Sequence, residues 1–127
     1  MATTALDLKE LARLRGPEWA GFPAGTRLGH LHLTVGDLED SEEFYKSLGL
    51  QRTLDWGTFR FLAWDRYHHH VAINLVEGRN AAPVTPDLAG LESFSVRGPL
   101  LEERLDPAGV RVLPENGEVA LSSRREL

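Results

Sequence analysis

Five histidines lie in two short groups, Gly29-His30-Leu31-His32 and Tyr67-His68-His69-His70, and imidazole is the side chain best suited to hold a transition metal or move a proton near neutral pH. The first group opens an alternating run. Leu31, Leu33 and Val35 share one face of a strand, while His30, His32 and Thr34 share the other. The second group leads into Val-Ala-Ile-Asn-Leu-Val, where Val71, Ile73 and Leu75 take the apolar face and simple alternation puts His70, Ala72 and Asn74 opposite. Neighbouring strands lie about 4.8 Å apart, so two such strands side by side would bring both histidine groups to one face. The plain alternatives are half-exposed strand residues for His30 and His32, and a turn of solvated imidazoles for His68 to His70. Histidine, carboxylate or amide must supply any ligands, because the chain has no cysteine and therefore no thiolate site or disulfide. Glu77, Asp87, Glu92 and Glu118 are available carboxylates, but no spacing singles one out.

Trp56, Phe59, Phe61, Trp64 and Tyr67 make an aromatic-rich hairpin that serves either as sheet packing or as the wall of a small-molecule pocket. On the pocket reading, the residues expected to touch a ligand are His32, His70, Asn74, Tyr67 and Trp64. No Walker loop, dinucleotide fingerprint or nucleophile elbow is present.

These residues need a scaffold, and the chain spells one out. Residues 5–15 carry Leu8, Leu11 and Leu14 near helical spacing before Gly16-Pro17, a short amphipathic helix whose apolar side should dock on the domain or on a second subunit. Gly21 to Gly25 is a turn-rich connector. After the first strand, Asp37 is a candidate N-cap, and Leu38, Ser41, Phe44, Tyr45 and Leu48 recur at three-to-four spacing until Gly49. Strand-like runs follow at 50–56, 58–64 and 70–76. Gly78 to Gly90 is a proline-bearing connector without a period. Beyond it the order repeats in shorter form: a strand at 91–96, helical turns at 100–105, then strands at 110–113 and 118–121, one strand fewer than in the first half. The fold expected is α+β: paired βαβββ modules forming an open, cup-like mixed sheet, the second module abbreviated. The boundaries are 1–26 for the helix and linker and 27–127 for the domain, with modules at 27–78 and 90–123.

At 127 residues the chain suits one such domain. Its net charge of -5 opposes a nucleic-acid footprint, and no apolar run approaches the roughly 20 residues of a membrane span. Composition fits a protein of the reducing cytoplasm whose partner is a small molecule, with neither nucleic acid nor membrane. The edges left by a shortened second half should be covered by a second copy, a homodimer.

Gly29 to Leu50, G-H-L-H-L-T-V-G-D-L-E-D-S-E-E-F-Y-K-S-L-G-L, resembles the opening module of the vicinal oxygen chelate superfamily, which includes glyoxalase I, extradiol dioxygenases and bleomycin-resistance proteins. Y-H-H-H-V-A-I-N-L-V-E-G with its proline-rich loop is similar to the catechol-2,3-dioxygenase-like branch, and A-L-D-L with G-F-P-A-G-T-R-L-G-H to the linker entering the C-terminal domain of two-domain members. The resemblance covers residues 6–97 and implies a metal ligand at His30 and a proton-moving histidine at His69 or His68. His32 becomes a cavity-lining or supporting residue. A divalent metal, Fe, Mn, Zn or Ni, and a small catechol-like substrate with vicinal oxygens follow from the same resemblance. The family register favours His69 where alternation favours His70, and a bulge at the strand start would reconcile the two. The second half departs from the pattern: Ser93, beside Glu92, stands where extradiol enzymes place a second metal histidine, and Glu118 is out of register for the acidic ligand. The alternative the resemblance carries is a metal-free sequestering protein of the bleomycin-resistance type.

Overall fold

The computed structural model describes residues 5–14, 16, 18, 20–76, 78–85, 87–97, 100, 102–115 and 121–124, the last stretch as backbone. Its first half is one continuous unit. Strand β1 (Leu31–Thr34) runs into a helix over Leu38–Ser47, and three strands follow, β2 (Gln51–Asp55), β3 (Phe59–Ala63) and β4 (Val71–Asn74). They form a sheet of order β1-β4-β3-β2, with β1 parallel to β4 and the remaining pairs antiparallel. Calling the six-residue helix at Leu8–Arg13 α1 makes the Leu38–Ser47 helix α2.

The sequence accounts for α2 locally. The Asp37 carboxylate accepts the Asp40 N–H at 2.9 Å, acidic residues fill the first turn, Lys46 sits in the last, and Gly49 takes φ 91°. Its buried side carries Leu38, Ser41 and Tyr45 and packs on β2, β3 and β4. That covers the face of Leu33, Val35, Leu62, Val71 and Ile73, and leaves the other face of the sheet for the histidines.

The second half is a sheet of order β6-β7-β5-β8, made by β5 (Gly90–Val96), β6 (Arg104–Leu105), β7 (Arg111–Pro114) and β8 (Leu121–Arg124). Among the described residues it has as many strands as the first half and no helix. Within the stretch 100–105, expected as helical turns, Arg104–Leu105 is instead the two-residue β6, paired antiparallel with β7. A ladder partner lies alongside Arg104–Leu105, and Pro107 limits any helical continuation. The strand expected at 118–121 begins at Leu121, and residues 116–120 lie outside the described residues.

One hydrophobic cluster joins the halves, with Leu33, Val35, Tyr45 and Ile73 from the first and Phe94, Val96, Val110 and Val112 from the second. A polar tie runs through it. The Tyr45 hydroxyl donates to Asp106 Oδ2 at 2.7 Å, and Asp106 Oδ1 accepts the Val110 N–H at 2.8 Å. Burial pushes the Asp106 carboxyl above its usual range despite these donors, and burial beside Asp106 pushes the Tyr45 hydroxyl well above its own. The connector is pinned by Val84 N–H to Ala108 carbonyl at 2.9 Å, beside Gly109, where φ is 88° and a Cβ would meet Val84 O at 2.5 Å.

Of the two docking places expected for α1, the domain or a second subunit, the domain of the same chain does not receive it. The helix buries none of its residues, and Leu6, Leu8, Leu11 and Leu14 are all exposed. Among the described residues no helix is long and apolar enough to cross a membrane.

Tyr45→Phe removes the one side-chain donor given to a buried carboxylate without creating a cavity. Urea denaturation at pH 7 should show a loss of about 1–3 kcal/mol; an unchanged midpoint would show that the tie carries no stability.

Candidate metal centre

The histidine face is built by the parallel pairing of β1 with β4. His32 stands opposite Ala72 and Thr34 opposite Asn74, while Phe61 of β3 also faces Ala72, so these residues share one side of the sheet. His30 lies just before β1, where the Leu31 N–H donates to the His70 carbonyl at 2.9 Å. Strand β4 starts at Val71, not at residue 70. Alternation therefore does not extend back to His70, and the chain bends there with the His70 N–H donating to the Leu62 carbonyl at 2.9 Å.

That bend decides which histidines meet. The His69 ring stacks on Phe61 with centroids 4.0 Å apart, and lies 4.4 Å from His30, 4.3 Å from His68 and 5.1 Å from His32. His70 turns to the other group, 5.3 Å from Trp64 and 4.8 Å from Tyr67, and its Nδ1 accepts the Trp64 backbone N–H at 3.3 Å. His30, His68 and His69 each offer a nitrogen, and the three nitrogens lie within 4.8 Å of one another. Nitrogens on one tetrahedral zinc ion at about 2.1 Å stand about 3.4 Å apart, so the three would close by up to about 1.4 Å to share an ion.

His69 is only 5% exposed, its Nδ1 has no hydrogen-bond partner among the described residues, and its Nε2 lies 3.0 Å from His32 Nε2. Burial, reinforced by the neighbouring His30, His68, His32 and His70, lowers its pKa to about 4. Burial and His30 likewise lower that of His32. Both imidazoles are thereby held neutral at pH 7, the form that ligates metals.

The remaining ligand candidates from the sequence lie elsewhere. Trp64 donates its indole N–H to the Leu48 carbonyl at 3.0 Å and sits on the helix side of the sheet. With His70 it lines a cleft of about 170 Å³ whose other walls include His30, Leu31, Phe94 and Val96, so the cleft adjoins the histidine cluster through His30. Tyr67 bridges the two groups, 4.3 Å from His68. Asn74 is on the histidine face but is committed to the backbone, with Nδ2 donating to the Leu33 carbonyl at 3.1 Å and Oδ1 accepting the Val76 N–H at 3.0 Å. An aromatic row runs from Trp56 through Phe59 to Phe61, with centroid steps of 4.9 and 5.4 Å, and ends on His69. Phe61 is thus the aromatic ring stacked on the cluster, one of the hairpin aromatics named from the sequence.

No carboxylate joins the cluster among the described residues. Glu92 bonds Arg111 at 2.7 Å, Asp87 bonds Thr85, and Ser93 is buried on β5. Glu77 and Glu118 lie outside the described residues.

Comparison with known proteins adds one relationship. Over 116 residues, 88% of this chain, it is 36% identical to the catechol-2,3-dioxygenase of Bacillus subtilis (strain 168). The chain spans 40% of that relative's length. No protein-family profile matches, and no solved structure does. The chain is thus related, over most of its own length, to part of a dioxygenase.

A base whose pKa is lowered by folding makes the unfolded chain bind the extra proton. Between the ordinary value of 6.5 and about 4, the His69 contribution to stability should therefore fall as pH falls, and level off below that window. Urea midpoints measured from pH 7.5 to 4 should decline less steeply for His69→Phe than for the parent; parallel declines would contradict the assignment.

Proposed function

We propose that this chain is a divalent-metal-dependent, dioxygenase- or lyase-like protein acting on a small catechol-like substrate with vicinal oxygens. The observation that carries the reading is the convergence of His30, His68 and His69, one of them buried with an unpartnered nitrogen. These three would hold the ion. The donor set is all imidazole, which suits iron, nickel or zinc and leaves the ion's double positive charge undiminished by ligand carboxylates. Bound there, a divalent metal would supply Lewis acidity to the substrate's oxygens. The chain's own contribution is placement. Phe61 and Phe59 offer stacking surface for an aromatic ring beside His69, and the strands of β1 and β4 fix the spacing of the imidazoles.

A second reading rests on the same ligand set. With no carboxylate among the described residues, the cluster differs from a two-histidine, one-carboxylate iron site, which favours a metal-free module that sequesters a small aromatic molecule against Trp56, Phe59 and Phe61. One experiment separates the two. Protein loaded anaerobically with Fe(II), Mn(II), Ni(II) or Zn(II) and then desalted should retain about one ion per chain by mass spectrometry, and the iron form should consume oxygen with catechol. His30→Ala and His69→Ala should each weaken retention at least tenfold. Full retention in His30→Ala would defeat the metal reading. Catechol quenching of Trp56 fluorescence without bound metal would establish the second.

A further inference from the structure

The contact between His32 and His69 has only two chemical forms. Two neutral imidazoles with Nε2 atoms 3.0 Å apart share one proton, donated by one ring and accepted by the other. If His32 donates, His69 carries its own proton on Nδ1. That atom is buried and has no partner among the described residues, so its N–H would be left unpaired. If His69 donates, its Nδ1 is a lone pair, unpaired as well until a cation takes it. A ligating imidazole usually donates its second ring N–H to a fixed acceptor, which sets both tautomer and ring orientation.

We propose that His32 is a positioning residue that accepts the Nε2–H of His69 and so presents His69 Nδ1, not Nε2, to a divalent cation shared with His30 and His68. The proposal rests on the metal reading above and goes beyond it by naming the ligating atom and the residue that selects it. His32 is suited to the task because its backbone belongs to the β1–β4 ladder, so the acceptor is carried by a strand and not by a loop. His69 cannot easily present its other edge. Its ring is 5% exposed and stacked on Phe61 at an interplanar angle of 26°, and turning it over would break the bond to His32. His32 itself is exposed on the sheet face, so its replacement removes a hydrogen-bond acceptor without opening the core.

The test is long-range proton–nitrogen NMR of the imidazoles in the ¹⁵N-labelled chain, before and after zinc ion is added, together with zinc titrations of His32→Leu and His32→Gln. Before zinc, His69 should be the Nε2–H tautomer. Zinc should shift His69 Nδ1 and leave Nε2 protonated. His32→Leu should bind zinc about 10–100-fold more weakly and show mixed His69 tautomers, whereas the glutamine amide oxygen can still accept the proton and should keep affinity within about threefold. Zinc bound through His69 Nε2, or a leucine variant with unchanged tautomer and affinity, would overturn the proposal while leaving the metal centre standing. Zinc that moves no histidine signal would overturn both.

Discussion

Parallel pairing of β1 with β4 sets Leu31 opposite Val71, and through that register it brings together His32 and His69, which are 37 residues apart in sequence. A parallel neighbour needs a crossover, here α2 followed by the β2–β3 hairpin, and the crossover covers one face of the sheet with Leu38, Tyr45 and Leu48. The other face is thereby freed for polar groups. If β1 slipped by one residue, Leu31 and Leu33 would turn outward and His30 and His32 would enter the core, so the hydrophobic pattern that stabilises the sheet also fixes the histidine face.

The second half supports this arrangement through the core and not through the histidine face. Phe94, Val96, Val110 and Val112 complete the cluster begun by Leu33 and Ile73, and Asp106 accepts the Tyr45 hydroxyl. Charged groups of this half are engaged with one another, as in Arg97 with Glu115 at 2.8 Å and Arg111 with Glu92 at 2.7 Å. The centre is consequently rich in imidazole on one sheet, and no carboxylate reaches it among the described residues.

Much of the first half was legible because its signals are local. Asp37 and Gly49 mark the ends of α2 by cap chemistry, and Leu33, Val35 and Ile73 fix the buried face by alternation. The same rule placed His32 and Asn74 on one face, as the register shows. It misplaced His70, because alternation holds only where the backbone is extended and the chain bends at that residue. The choice between His69 and His70 is made by hydrogen bonds to Leu62 and from Leu31, contacts distant in sequence that no spacing encodes. Tyr45 with Asp106 was hidden for the same reason. In the second half, Leu100 to Leu105 has helical composition, but the ladder offered by β7 satisfies the Arg104–Leu105 backbone as a strand.

In the proposed function one ion is shared by His30, His68 and His69. X-ray absorption at the zinc edge of the zinc-loaded chain addresses it without reference to turnover. The prediction is a first shell of nitrogen or oxygen at about 2.0–2.1 Å with outer-shell scattering from about three imidazoles. A first shell lacking imidazole scattering would contradict it.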